Sequence, residues 1–355
     1  MAFALPVVLA LACGGTTQTE ANLTPSLPKG WNEISTGGDT ICARGTPYSF
    51  FVNPGTSNKV LIDFQGGGAC WTKESCSLAG SLFFDSIDTL REQVANGFPG
   101  IYDRDRAGNP LTDAFHVVVP YCTGDIHWGN ATVDYGDATT PLVIRHRGAV
   151  NARAVLDWVY KNFPKPEQVT VMGCSAGSYG SIYWAPDVAR HYAGVDVQQF
   201  GDSGAGVVTD TFFHDSFPQW NATSLAPDFI PALDPKTVDW QALSIVDLYS
   251  RVGAFFPHML FAQFNDSTDS TQSFFYTAMG GNSAQWSAKM FATMDAIHAS
   301  TPNFRSYIGK GDQHCVIPND DYATFTSGGV KFVDWFEKLR QGQDPGNVEC
   351  EGCRP

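Results

Sequence analysis

The run Val169-Thr170-Val171-Met172-Gly173-Cys174-Ser175-Ala176-Gly177 constrains the fold more tightly than any other part of this 355-residue chain. A short apolar strand leads straight into a Gly-x-Ser-x-Gly pentad, and Ala176 to Tyr192 continues with helical character, with a break expected at Pro186. A strand that turns this sharply into a helix needs small residues at Gly173 and Gly177. The backbone can then hold Ser175 in a strained conformation with its hydroxyl exposed. The helix start supplies an amide at Ala176, so the arrangement marks Ser175 as a nucleophile. A phosphate loop would need a Lys-Ser or Lys-Thr ending, which is missing here.

The elements around this turn alternate. Val60 to Phe64 reads as a buried strand stopped by Gln65-Gly66-Gly67-Gly68, and Phe115 to Val119 as a second, stopped by Pro120. Ala152 to Phe163 has helical spacing, and strands follow at Val195 to Phe200, Met259 to Phe264 and around Phe304 to Ile308. An amphipathic helix covers Val330 to Leu339. This alternation predicts an α/β fold: a mostly parallel central sheet flanked by helices, in one domain over residues 31–355. Phe212 to Tyr249 is rich in aromatics and prolines and fits no strand-helix unit, which suggests a lid over the carboxyl edge of the sheet.

Residues 1–12 form an apolar run too short to span a bilayer and end in small residues, as a secretory signal peptide does. Ala10-Leu11-Ala12-Cys13-Gly14-Gly15 resembles a bacterial lipoprotein processing site. Membrane attachment through a lipidated Cys13 and plain secretion are therefore both open, with residues 13–30 as a polar linker. Apart from Cys13, eight cysteines remain, an even number that favours disulfides and an oxidising compartment. Cys70 and Cys76 are close enough to pair. Cys174 is a candidate for a buried, unpaired thiol. Cys350-Glu351-Gly352-Cys353 lacks the second ligand pair of a zinc site, so no metal is expected. With 22 Lys and Arg against 36 Asp and Glu, the formal charge of -14 opposes phosphate backbones and excludes nucleic acid as a natural partner.

The same sheet edge supplies further chemistry. Gly66-Gly67-Gly68-Ala69 follows a strand upstream of the serine, where backbone amides of Gly67 and Gly68 can join Ala176 in an oxyanion hole. An α/β-hydrolase orders its triad Ser, then Asp or Glu, then His. His314, in Gly309-Lys310-Gly311-Asp312-Gln313-His314-Cys315, fits the base. The acid lies in Asn265-Asp266-Ser267-Thr268-Asp269, where Asp266 and Asp269 compete. Gly201-Asp202-Ser203-Gly204 matches the serine motif of trypsin-like proteases, but those enzymes place His and Asp before Ser. Asp202 and Ser203 are read instead as pocket-lining or turn-capping residues. Trp128, in the loop Tyr121 to Gly129, and Trp71 are candidates for contact with substrate.

Together these residues resemble the pectin acetylesterase and Notum family of serine carboxylesterases. The resemblance rests on Asp63 to Trp71, Pro120 to Asp125, Gly173 to Gly177, Asp202-Ser203-Gly204 and Gln313-His314-Cys315. It implies a triad of Ser175, Asp269 and His314, because the family's Asp-x-x-Gln is reproduced by Asp269-Ser270-Thr271-Gln272 and not at Asp266. It also implies ester hydrolysis without a cofactor, on O-acetyl groups of a polysaccharide or on the fatty acyl group of a signalling protein. The Gly-Gly-Gly-Ala run and the bacterial-looking leader fit the polysaccharide branch. Two other functions stand beside this one: an esterase for longer acyl chains, if Phe212 to Tyr249 lines an acyl tunnel, and a non-catalytic carbohydrate-binding protein on the same scaffold.

Overall fold

Five strand ends meet along one edge of the central sheet, and every candidate residue except Trp71 and Trp128 lies within six residues of one of them. The structure is a computed structural model that describes residue 1 and residues 24–355; the expected signal peptide beyond Met1, and Cys13, fall outside the described residues. In chain order the strands are β1 (Asn32–Ser35), β2 (Ser49–Asn53), β3 (Lys59–Phe64), β4 (Phe115–Val119), β5 (Ala131–Asp134), β6 (Val143–His146), β7 (Gln168–Cys174), β8 (Asp196–Asp202), β9 (Leu260–Asp266), β10 (Phe304–Gly309), β11 (Thr326–Ser327) and β12 (Val330–Lys331). The helices are α1 (Lys73–Cys76), α2 (Asp88–Asn96), α3 (Gly148–Asn162), α4 (Ala176–His191), α5 (Phe212–Trp220), α6 (Ile245–Phe255), α7 (Ser270–Ala278), α8 (Trp286–Ser300) and α9 (Phe332–Arg340).

Eight strands form one sheet in the order β1-β2-β4-β3-β7-β8-β9-β10, with β2 alone running against the others. Strands buried on both faces are mostly apolar, and the buried stretches of β3, β4 and β7 are, apart from Thr170 and a buried pair, Asp63 and His116, joined at 2.9 Å. Val169 and Val171 of β7 pack into the cluster built with α3 and α4, whereas Met172 and Phe200 pack into the other, with Phe332, Trp335 and Phe336 of α9. Register brings the carboxyl ends together: Phe64 pairs with Gly173, Cys174 with Asp202, and Asp266 with Gly309.

Three expectations need correction. Helix α4 runs unbroken through Pro186, because Ile182, Tyr183, Trp184, Ala185 and Val188 are all buried and their packing outweighs one missing hydrogen bond. The Phe212 to Tyr249 segment is not a separate lid. Phe212, Phe213, Phe217, Trp220, Leu233 and Trp240 are buried in the main core, where Phe213, Phe217 and Trp240 pack around Trp128, so the segment is a fixed wall. Cys174 is not a free thiol, because it is bonded to Cys315. The other disulfides are Cys42–Cys122, Cys70–Cys76 and Cys350–Cys353.

The turn after β7 tolerates no added atom. A Cβ on Gly177 would fall on the Phe64 carbonyl, and one on Gly173 would meet the Gly177 carbonyl. Gly177→Ala is expected to destabilise the fold by about 3 kcal/mol through overpacking against rigid backbone. Urea unfolding measures this, and an unchanged midpoint would mean that β3 and α4 are not in contact.

Candidate active site

Ser175 sits between β7 and α4 with φ 57° and ψ −121°, a conformation that side chains other than glycine rarely adopt. Such a residue costs about 1–3 kcal/mol and persists only where its surroundings hold it. Here the Ser175 amide donates to the Asp202 carbonyl at 2.7 Å, and its carbonyl accepts from the Ser178 amide at 2.9 Å. Ala176 is the first residue of α4, where an amide has no intrahelical acceptor. Across the turn, Gly68 has φ 76°, and the Gly67 and Gly68 amides find no acceptor among the described residues. Three free N–H groups thus border the serine.

Asp269 and His314 come from the loops after β9 and β10. The His314 Nδ1–H donates to Asp269 Oδ2 at 2.8 Å and lies 3.1 Å from Oδ1. Asp269 is fully buried and caps the N-terminus of α7, its Oδ1 accepting from the Gln272 amide at 2.8 Å and its Oδ2 from Gln272 Nε2 at 3.0 Å. The imidazole is 20% exposed. A proton on Nδ1 leaves Nε2 of the neutral ring as the basic nitrogen. His314 Nε2 is buried without a hydrogen-bond partner among the described residues, and His314 lines the same pocket as Ser175. The structure therefore brings together Ser175, Asp269 and His314.

Asp266 has a different position. Its Oδ2 accepts from the Gln313 amide at 3.0 Å, and it makes no hydrogen bond to the imidazole. Burial, with Asp269 and Asp312 nearby, pushes its carboxyl up to about 6. Asp202 is fully buried and accepts from the Val316 and Ile317 amides, each at 2.9 Å; burial pushes its carboxyl well above the usual range. It does not border the pocket. Ser203 does, but its hydroxyl accepts from the Cys315 amide at 2.9 Å. These two residues hold the histidine loop, and Ser203 also borders the pocket as expected.

Neither tryptophan reaches the pocket. Trp71 is buried edge-on against Phe212, and Trp128 is buried with Nε1 donating to the Tyr179 carbonyl and its ring stacked on Tyr183. An aromatic residue in a loop beside a reactive motif fills core here because α5 closes over it.

The pocket has two lobes meeting at Ser175 and His314. The larger, about 450 Å³, is bordered by Phe84, Phe98, Tyr102, Phe274 and Phe275. The smaller, about 60 Å³, is bordered by Ile126, Tyr179, Val207, Val208, Phe212 and Met279. Sequence reasoning missed most of these walls, although it singled out the aromatic segment containing Phe212 and the loop Tyr121 to Gly129 that carries Ile126. They come one or two at a time from remote segments, and only Phe274-Phe275, on the helix that Asp269 caps, carried a usable signal.

A family model described as Pectinacetylesterase matches residues 33–223, a span that includes Ser175 and ends before Asp269 and His314. Pectin acetylesterase 4 of Arabidopsis thaliana is 28% identical over 140 residues, 38% of this chain and 32% of that protein. Pectin acetylesterase 5 of the same plant is 28% identical over 138 residues, 38% and 31%. The aligned part spans about a third of these curated relatives. Two crystal forms of the Wnt deacylase Notum from Drosophila share the fold, with TM-scores of 0.68 and 0.67 at 18% and 16% identity, each covering 92% of this chain and 97% of the other.

Proposed function

Because the chain belongs to the pectinacetylesterase family, we propose that it is a serine carboxylesterase that removes short acyl groups, above all O-acetyl groups, from a polysaccharide. The 2.8 Å contact between His314 and Asp269, beside a serine held in a strained turn, carries this reading. His314 Nε2 takes the Ser175 proton as Oγ attacks the ester carbonyl. The developing oxyanion is met by the amides of Gly67, Gly68 and Ala176, donors commonly worth about 3 kcal/mol each. His314 passes its proton to the leaving alcohol, and an acyl-serine remains. Water, deprotonated by the same nitrogen, then releases the acid. Asp269 keeps the ring in the required tautomer and stabilises its cation throughout.

The two lobes divide the substrate. The small apolar lobe takes the acyl group, and the open aromatic lobe takes the alcohol side, where rings can pack against the C–H faces of a sugar. At about 60 Å³ against about 450 Å³, the small lobe suits a short acyl group such as acetyl better than a long chain. This argues against the long-chain esterase. Four disulfides support export to an oxidising compartment, and no described helix is long and apolar enough to cross a membrane.

Aryl esters of acetate, butyrate and octanoate test the acyl size. The specificity constant is expected to fall by at least about tenfold from acetate to octanoate, in line with about 1–3 kcal/mol for each methylene without room. Equal or rising rates would refute the short-acyl assignment. Fluorophosphonate labelling of Ser175 excludes the non-catalytic reading, and acetate release from acetylated pectin, xylan and chitin-type oligomers compares the polymers.

A further inference from the structure

Ser175 and His314 are 139 positions apart in sequence and share no hydrogen bond among the described residues, so what sets their separation must lie in their neighbours. The residue before Ser175 is Cys174, the residue after His314 is Cys315, and these two are bonded to each other. The two sulfurs and a ring nitrogen of His314 lie within 4.8 Å of one another. The end of β8 reinforces the same junction from below. The Asp202 carbonyl holds the Ser175 amide, the Asp202 carboxylate holds the Val316 and Ile317 amides, and Ser203 Oγ holds the Cys315 amide. Ser175 (φ 57°), Ser203 (φ 54°) and Cys315 (φ 61°) all have left-handed backbone, so three strained residues meet where the bond and these contacts converge.

We propose that the Cys174–Cys315 disulfide, seated on Asp202 and Ser203, is the positioning device that aligns His314 with Ser175, and that a small thiol can switch the enzyme off by opening it. This rests on the nucleophile and base roles assigned above. Cys174 borders the open lobe and is half-buried, whereas Cys315 is fully buried, so Cys174 Sγ is the sulfur a thiol reaches. A thiolate attacks Cys174 Sγ and displaces Cys315 as thiolate, which takes up a proton. A second thiolate resolves the mixed disulfide. Two electrons pass to the protein, Cys174 and Cys315 end as thiols, and the reductant ends as its own disulfide. The fold has other ties at this loop, because the Gln313 amide still donates to Asp266 and Asn319 Nδ2 to the Cys315 carbonyl. Opening the bond therefore loosens the alignment and leaves the sheet intact.

The test compares hydrolysis of an aryl acetate by the wild type, the wild type treated with dithiothreitol, the double variant Cys174→Ala/Cys315→Ala and Ser203→Ala, with Cys350→Ala/Cys353→Ala as the control. Misplacement of a reacting group by about 1 Å costs about 100-fold. The double variant and the reduced wild type are expected to lose about that much in kcat with KM little changed. Reoxidation should restore the wild type, and the control should match it. Ser203→Ala, which keeps the disulfide and removes one hydrogen bond, is expected to lose about tenfold in kcat. A folded double variant with wild-type kcat and only a lowered melting temperature would overturn the proposal, as would an equal loss in the control. Should the double variant fail to fold, full kcat in both the reduced wild type and Ser203→Ala overturns it instead. Untreated wild type that neither hydrolyses esters nor takes a fluorophosphonate at Ser175 refutes the enzyme reading itself, a distinct result.

Discussion

Replacing Ser175 with alanine is expected to lower kcat for ester hydrolysis by on the order of a million-fold, the loss typical when a serine hydrolase is deprived of its nucleophile. The fold should survive this change. Ser175 Oγ makes no hydrogen bond among the described residues, so its removal strands no partner, and alanine puts the same Cβ into the strained turn. The rate should thus collapse while the melting temperature stays close to that of the wild type. Fluorophosphonate labelling should vanish with it. Residual activity within tenfold of the wild type would remove Ser175 from the mechanism and leave the pentad as an ordinary strand-to-helix turn.

Asp269→Asn is expected to cost about ten-thousandfold in kcat, because an amide at this position can present its NH2 group to the ring and favour the wrong tautomer. The cap on α7 is retained, since asparagine accepts from the Gln272 amide as well as aspartate does. Stability therefore changes little, and the effect separates as chemistry. Asp266→Asn is the discriminating partner. Its side chain meets the Gln313 amide and not the imidazole, and its carboxyl, already pushed up to about 6, is half-way to neutral in mildly acidic solution. That variant should stay within a few-fold of wild-type kcat. Equal losses in the two variants would mean that the acidic loop acts as a unit and that the Asp269 contact has no special role.

The sequence made the central strands legible because β3, β4 and β7 are predominantly apolar runs between turn signals, a pattern forced on strands covered on both sides. It did not reveal β1 and β2. β1 is a four-residue edge strand of alternating exposure, and β2 offers only the three apolar residues Phe50 to Val52, a run too short to stand out. The serine turn could be read because its chemistry and its geometry demand the same small residues. The choice between Asp266 and Asp269 could not be made by spacing, since Asp266 ends β9, Asp269 follows it by three residues and only the direction of the chain as it enters α7 separates them. Resemblance favoured Asp269, and the contact with His314 involves that residue. Trp128 misled because exposure, which decides whether an indole meets substrate or core, is set by α5, about ninety residues away.

The covalent tie between Cys174 and Cys315 spans 141 residues, and β8, β9 and their helices lie inside the loop it closes. Contacts so distant in sequence form late, after most of the chain entropy has been lost. With the triad proposed above, a ribosome-bound chain that has released Ser175 but not yet β10 would hold half of a reaction centre and could not cleave an ester. Docking of the last sheet strand, oxidation and the onset of reactivity would then coincide in a single late event.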